Sequence, residues 1–267
     1  MAKSFQNFRD VMVWTKSRLF DFGYEIQTER WQGKIIKESE SHKMIELLNH
    51  SFICAISPDI TELQSEIKPN LPWADVHFKE RVSGIPYNPP PSHEIWPFTQ
   101  KNNTEFRKES KFSHTYPERI WPKHHIDSEG NIINMEPITG YRFQYGDFSD
   151  VVRLLMREPF TRQAVLPIFF PEDTGCVHGE RIPCTLFYHF IRRGDFLHVV
   201  YSIRSCDFFR HFRDDIYLCC RKLFWVLELL KKLSPEEWAN VRPGTLKMDI
   251  TSLHIFAVER MLLKKAE

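Results

Sequence analysis

Apolar and polar positions alternate most clearly after Cys184. Leu186, Tyr188 and Phe190 recur at a spacing of two, as in a strand that buries one face. Arg193-Gly194-Asp195 supplies a turn, and Phe196 to Ile203 follows as a run rich in β-branched and aromatic residues. Two antiparallel strands joined by a short turn return the chain beside its start, so Arg204, Ser205 and Asp207 are expected near Cys184. Elsewhere the period is helical. Phe5, Phe8, Val11, Met12, Leu19 and Phe22 predict a packing helix over 5–23, with Trp14 and Phe20 widening its face. Residues 70–84 suit a helix with Pro72 in its first turn and Gly84 after its end. Residues 147–157 suit a short amphipathic helix capped by Asp147 or Ser149, and 214–233 a helix apolar on most sides, hence buried. Residues 43–56 read as core sheet, Ala164 to Phe170 as a strand, and 246–263 as a strand through His254 followed by a basic terminal helix. The proline-rich stretch 86–122, with Asn88-Pro89-Pro90-Pro91, predicts an extended connection outside the sheet: a lid or an insertion.

Composition narrows the class without naming a chemistry. A chain of 267 residues with 42% apolar and 14% aromatic content can bury a large core, and 1–267 is read as a single α+β domain. A net charge of +1 gives no field that would draw DNA or an anionic membrane. Six cysteines are too sparse for a disulfide scaffold, which points to a reducing cytoplasm, and no apolar run approaches a membrane span.

Cys184 carries the chemical interest. A thiol beside a fixed guanidinium becomes a nucleophilic thiolate because the cation stabilises the charged form, and Arg204 is placed to do this. The alternative is an inert buried cysteine. Cys176 and His178 look like metal ligands, but a zinc site would need Cys184 as well. The side chains of His124 and His125 diverge as neighbours, so no metal is expected.

Pro183-Cys184 followed by Arg204-Ser205-Cys206-Asp207 resembles the thymidylate synthase family, which includes the pyrimidine nucleotide hydroxymethylases. Three more stretches resemble it in the same order: Glu158-Pro159-Phe160-Thr161-Arg162, Pro137 to Phe143, and Leu253-His254-Ile255-Phe256. The likeness spans roughly 115–258, and the family's N-terminal phosphate loop is not visible, although Arg30 lies in its region.

The resemblance implies a large mixed sheet with packed helices, and a homodimer paired two-fold through that sheet. It implies a Cys184 adduct at C6 of a pyrimidine nucleoside monophosphate, with 5,10-methylenetetrahydrofolate as co-substrate. Arg204 would activate Cys184 and, with Ser205, hold the phosphate; Arg162 would reach the partner's phosphate site. His254 would meet the sugar, Asp207 the pterin, and Trp121 both base and folate. Glu80, or Asp75 as its rival, would steer protons. Asp215 stands where the thymidylate enzymes read uracil with Asn. A carboxyl accepts from the cytosine amino group and, protonated, donates to N3, which favours cytosine. Asp214 leaves the register open by one residue. The family's catalytic Tyr is replaced by Thr139 and the chain stops soon after the His254 strand, which favours a hydroxymethyl over a methyl product. The expectation is a (deoxy)cytidylate 5-hydroxymethyltransferase. Its rivals are a dUMP methylase or hydroxymethylase and a non-catalytic nucleotide-binding homologue.

Overall fold

A computed structural model describes residues 2–28, 30–31, 34–35, 42–98, 107–108, 111–126, 132–134, 146–174 and 181–264. Seven strands form one mixed sheet: β1 (Lys3–Phe5), β2 (Tyr24–Ile26), β3 (Met44–Ala55), β4 (Val165–Pro167), β5 (Thr185–Arg193), β6 (Phe196–Asp207) and β7 (Arg242–Phe256). Their order is β1-β3-β7-β6-β5-β4, with β2 also paired to β3. The pairs β1/β3 and β6/β7 are parallel and the rest antiparallel. The helices are α1 (Phe8–Phe22), α2 (Ile60–Ile67), α3 (Trp73–Arg81), α4 (Tyr116–Ile120), α5 (Phe148–Arg157), α6 (Phe212–Leu233) and α7 (Pro235–Trp238). The α+β class and the mixed sheet therefore follow the sequence pattern.

Local chemistry explains most boundaries. Asp147 caps α5 by accepting from the Asp150 backbone, and Asp150 accepts from the Asp147 backbone in return, a reciprocal capping box. Helix α6 packs on β6 and β7, with Phe212, Ile216, Leu223, Val226 and Leu230 fully buried. Three expectations need correction. The strand expected over 164–170 keeps ladder pairing only at Val165–Pro167, and the terminal basic segment is a 3-10 helix, Ala257–Lys264. Leu186 is half-buried, because the register slips between Thr185 and Phe187 and Thr185 takes the inward position beside Tyr188 and Phe190.

One irregularity shapes the sheet around the site. In β6 the inward residues are Leu197, Val199, Tyr201 and Ile203, then Cys206; in β7 they are Leu246, Met248 and Ile250, then Leu253 and Ile255. In β3 they are Ile45 and Leu47, then His50, Phe52 and Cys54. All three strands change phase at one level, where the ladders pass over Asn49, Arg204 and Thr251. Asn49 takes φ 54°, a backbone that Asn tolerates better than most side chains. Because the strands slip together, register survives while Arg204 and Ser205 turn toward the end of the sheet where Cys184 lies. Among the described residues no helix is long and apolar enough to cross a membrane.

Candidate active site

A cavity of about 190 Å³ lies where α3, the 3-10 turn Pro91–Ile95 and the start of α4 meet the N-terminus of α6 and the strands β5 and β6. Its wall includes Cys184, Ser205, Asp215, His77, Arg81 and Trp96. These residues come from five separate parts of the chain, so the cavity exists only in the folded molecule.

Cys184 sits just ahead of β5 with its Sγ 3.9 Å from Arg204 Nη2. The Arg204 backbone N–H donates to the Cys184 carbonyl at 2.9 Å, and its guanidinium donates to the carbonyls of Pro183 at 2.8 Å and Ile182 at 3.0 Å. Arg204 thus pins the segment carrying the thiol, and these two bonds draw part of its donor fork away from a phosphate. The expected acidification is outweighed. Burial pushes the Cys184 thiol up and Arg204 pulls it down, and the sum remains above the ordinary cysteine value. At neutral pH Cys184 is therefore a thiol.

Asp214 and Asp215 both line the cavity but differ in their hydrogen bonds. Asp214 accepts from the Asn70 backbone at 2.8 Å and from its side-chain amide at 2.7 Å, which engages both oxygens. Asp215 has no such bonds; it faces the cavity with Cys206 Sγ 3.7 Å from its Oδ2. Neither aspartate caps α6, whose N-cap is His211 without a side-chain bond. Burial first and the neighbouring Asp214 charge next push the Asp215 carboxyl up to about 6, against the opposing pull of Arg81 and Lys222.

Glu80 does not reach the cavity wall. It is 3% exposed and accepts from the Ser92 backbone at 2.9 Å and the Ser92 hydroxyl at 2.7 Å, with His77 Nδ1 as its third partner. Burial raises its pKa, but these contacts dominate and hold it below the usual Glu value. His77, one turn earlier on α3, is the group that lines the cavity, neutral because burial lowers it to about 4. The rival Asp75 points elsewhere, to Arg221 at 2.6 Å and Tyr217 at 2.8 Å.

Other expected site residues also stand off the cavity. Trp121 is 5% exposed, packs against Phe148 and Trp225, and donates its indole N–H to the Arg81 carbonyl at 3.0 Å. Both Asp207 oxygens serve the loop ahead of α6, accepting from the backbones of Phe209 and Arg210 at 3.0 Å and from the Arg210 side chain at 2.9 Å. His254 lies opposite Asp207 on β7, half-buried and outside the wall, with burial lowering its pKa. Arg162 is exposed ahead of β4, remote from its own chain's cavity wall. Thr139, Cys176 and His178, and the side chains of Arg30, His124 and His125, lie outside the described residues. Among the described residues no group of three His, Cys, Asp or Glu could hold a metal ion.

The reading from sequence passed over Trp73, His77 and Arg81, three consecutive turns of one α3 face that all line the cavity. It also passed over Tyr116, Trp96 and His211. Trp96 stacks on His211 with centroids 5.5 Å apart and planes at 11°, and its buried indole N–H has no partner among the described residues. No family model matches the chain. No curated protein matches it either.

Proposed function

We propose that the chain is a cytoplasmic pyrimidine nucleotide one-carbon transferase, in the manner of the thymidylate synthase family, which hydroxymethylates C5 of a cytidine monophosphate, dCMP by preference. The supporting observation is the pairing, in one cavity, of the Cys184 thiol with Asp215, a carboxyl held near pKa 6. A protonated Asp215 donates to cytosine N3 and accepts from the N4 amino group; uracil, which carries a proton on N3 and an oxygen at C4, suits it poorly.

Pyrimidine C5 is a poor nucleophile until a sulfur adds at C6. The Cys184 thiolate gives its lone pair to C6, the C5=C6 π pair moves through C4 to N3, and N3 takes the Asp215 proton. C5 is then electron-rich and bonds the incoming carbon. The C5 proton is then lost, and the pair it leaves forms the C5=CH2 bond as the carbon–nitrogen bond to the one-carbon carrier breaks, the carrier leaving as its protonated amine and an exocyclic methylene remaining. Hydroxide adds to that carbon, and the displaced pair returns through C5 to expel sulfur from C6 as thiolate. Ser205, which lines the cavity and has no hydrogen-bond partner for its hydroxyl among the described residues, is free to meet the phosphate.

Methylenetetrahydrofolate would supply the one-carbon unit at the formaldehyde level. Asp207 and Trp121 do not fit its pterin, since neither faces the cavity. Trp96 fits better, because its orphaned indole N–H at the wall calls for a ligand acceptor. The assembly proposed is a two-fold homodimer through the sheet with Arg162 reaching the partner's phosphate site.

A non-catalytic nucleotide-binding role is the second reading, favoured by the raised Cys184 pKa and the engaged Asp207. Separate incubation of dCMP, CMP and dUMP with methylenetetrahydrofolate decides between them. A mass gain of CH2O on dCMP is expected, with tritium release from [5-³H]dCMP that Cys184→Ser abolishes while dCMP binding persists. Faster release from [5-³H]dUMP would reject the base assignment, and binding without any exchange would reject catalysis.

A further inference from the structure

Arg81 is the least compensated charge in the cavity wall. It is 2% exposed, yet among the described residues its Nε and Nη1 have no hydrogen-bond partner. It makes no ion pair with any described carboxylate. Its one polar side-chain contact is Nη2 to His77 Nε2 at 2.5 Å, and its guanidinium lies over the Tyr116 ring at 4.0 Å. His77 is fixed in turn through Nδ1 by Glu80, which Ser92 holds. This chain orients the guanidinium from behind, and the Trp121 indole secures the Arg81 carbonyl. A buried cation with idle donors is costly, and proteins keep such groups where a ligand completes them.

Asp215 lines the same cavity and interacts electrostatically with Arg81 without pairing to it. A cytosine whose N3 and N4 meet Asp215 presents its remaining acceptor, the O2 carbonyl, beside that edge. We propose that Arg81 receives the O2 carbonyl of the base through its unpartnered Nε and Nη1, and stabilises the negative charge that reaches O2 when the Cys184 sulfur bonds to C6. Fixed donors aimed at developing charge act this way in acyl-transfer enzymes. His77 and Glu80 are then positioning residues. The inference rests on the cytidylate reading above and adds to it the group that meets O2.

The test compares dCMP with 2-thio-dCMP, whose sulfur accepts hydrogen bonds poorly, by calorimetric binding to wild-type protein and to Arg81→Met and Arg81→Lys. Wild type should favour dCMP by about tenfold, and Arg81→Met should lose about tenfold to a hundredfold in dCMP affinity and bind both alike. Arg81→Lys should fall between. The dCMP to dUMP affinity ratio is compared at pH 5, below the Asp215 pKa of about 6, where that carboxyl is protonated with or without Arg81; there the ratio should not change in Arg81→Met, because O2 is common to both bases. Its melting temperature should be no lower than wild type, since a buried unpaired charge is removed. An Arg81→Met protein that keeps the oxygen-over-sulfur preference overturns the proposal alone. So does a wild type that binds both nucleotides alike, which needs no variant to fold. Wild-type protein that binds no dCMP overturns the cytidylate reading and this proposal with it.

Discussion

Asp215 and Cys184 both hold protons more tightly than they would in water, and the pH response follows from counting those protons. The proposed catalysis needs Asp215 protonated and Cys184 ionised, whereas the resting order between their pKa values is the reverse. The two arrangements carry the same number of protons, so pH does not shift the balance between them. Below about 6 one proton too many is bound; above the raised thiol pKa one too few remains. The kcat/KM for dCMP should therefore rise with a midpoint near pH 6 to a plateau that stays flat past pH 8. In Asp215→Asn the acid limb near 6 should vanish and preference should pass to dUMP, by about a hundredfold in the ratio of kcat/KM. The same carboxyl affects stability. Its folded pKa lies above its unfolded value, so stability falls as pH rises between about 4 and 6, and the cost persists above. Asp215→Asn should therefore be more stable than wild type at pH 8, by on the order of 2 kcal/mol in urea unfolding, and should lose that advantage below about pH 4. The juxtaposition of Cys184 and Arg204 could be read from strand spacing alone, because a hairpin returns the chain by geometry. That Asp214 is the carboxylate with both oxygens engaged could not be read so, because its partner Asn70 lies far away in sequence.

Elements show the same division between local and distant causes. Helix α6 was legible because its apolar residues are continuous, and α5 because Asp147 and Asp150 form their cap from adjacent residues. The α3 helix was legible as a helix, but its functional face was not. Trp73, His77 and Arg81 recur every four residues, a pattern visible in the sequence. Nothing in α3 itself says that the 3-10 turn Pro91–Ile95 covers Glu80 and leaves that stripe facing a cavity. The bulge ahead of Phe187 and the shared phase change at Asn49, Arg204 and Thr251 are likewise properties of several strands at once. A sharper element-level test lies at Gly23, where α1 turns back into the sheet. A Cβ there would collide with the Leu19 carbonyl oxygen and come within 2.5 Å of Ile45 Cγ2. Gly23→Ala should cost about 1–3 kcal/mol in urea unfolding because the α1–β3 contact must open. Nucleotide affinity should be unchanged, since the cavity wall includes neither α1 nor β3.

At the scale of the molecule, the sheet is covered unequally. Its inward side chains meet α1 and α6, while the opposite face carries Phe187, His189, Ile191, His198, Val200 and Asp249, all half-exposed. Among the described residues His189 Nε2 is buried there without a partner, while the same ring has a backbone hydrogen bond with Arg162. Sheets can leave one face to water, and the proposed homodimer would cover this one. The proposed homodimer would place one exposed Arg162 near each partner's cavity, and this arrangement can be tested by complementation. Cys184→Ser and Arg162→Ala homodimers should each be nearly inactive in tritium release. A heterodimer of the two would rebuild one whole site, taking Cys184 from one subunit and Arg162 from the other. Unfolding and refolding an equal mixture should restore about a quarter of wild-type activity, because half the dimers are mixed and each has one intact site. If Arg162 acted only within its own chain, or not at all on the phosphate, mixing would add nothing to the two homodimers measured separately. Sedimentation velocity on the same mixture distinguishes that result from a failure to dimerise, because it reports the oligomer whether or not the site is active.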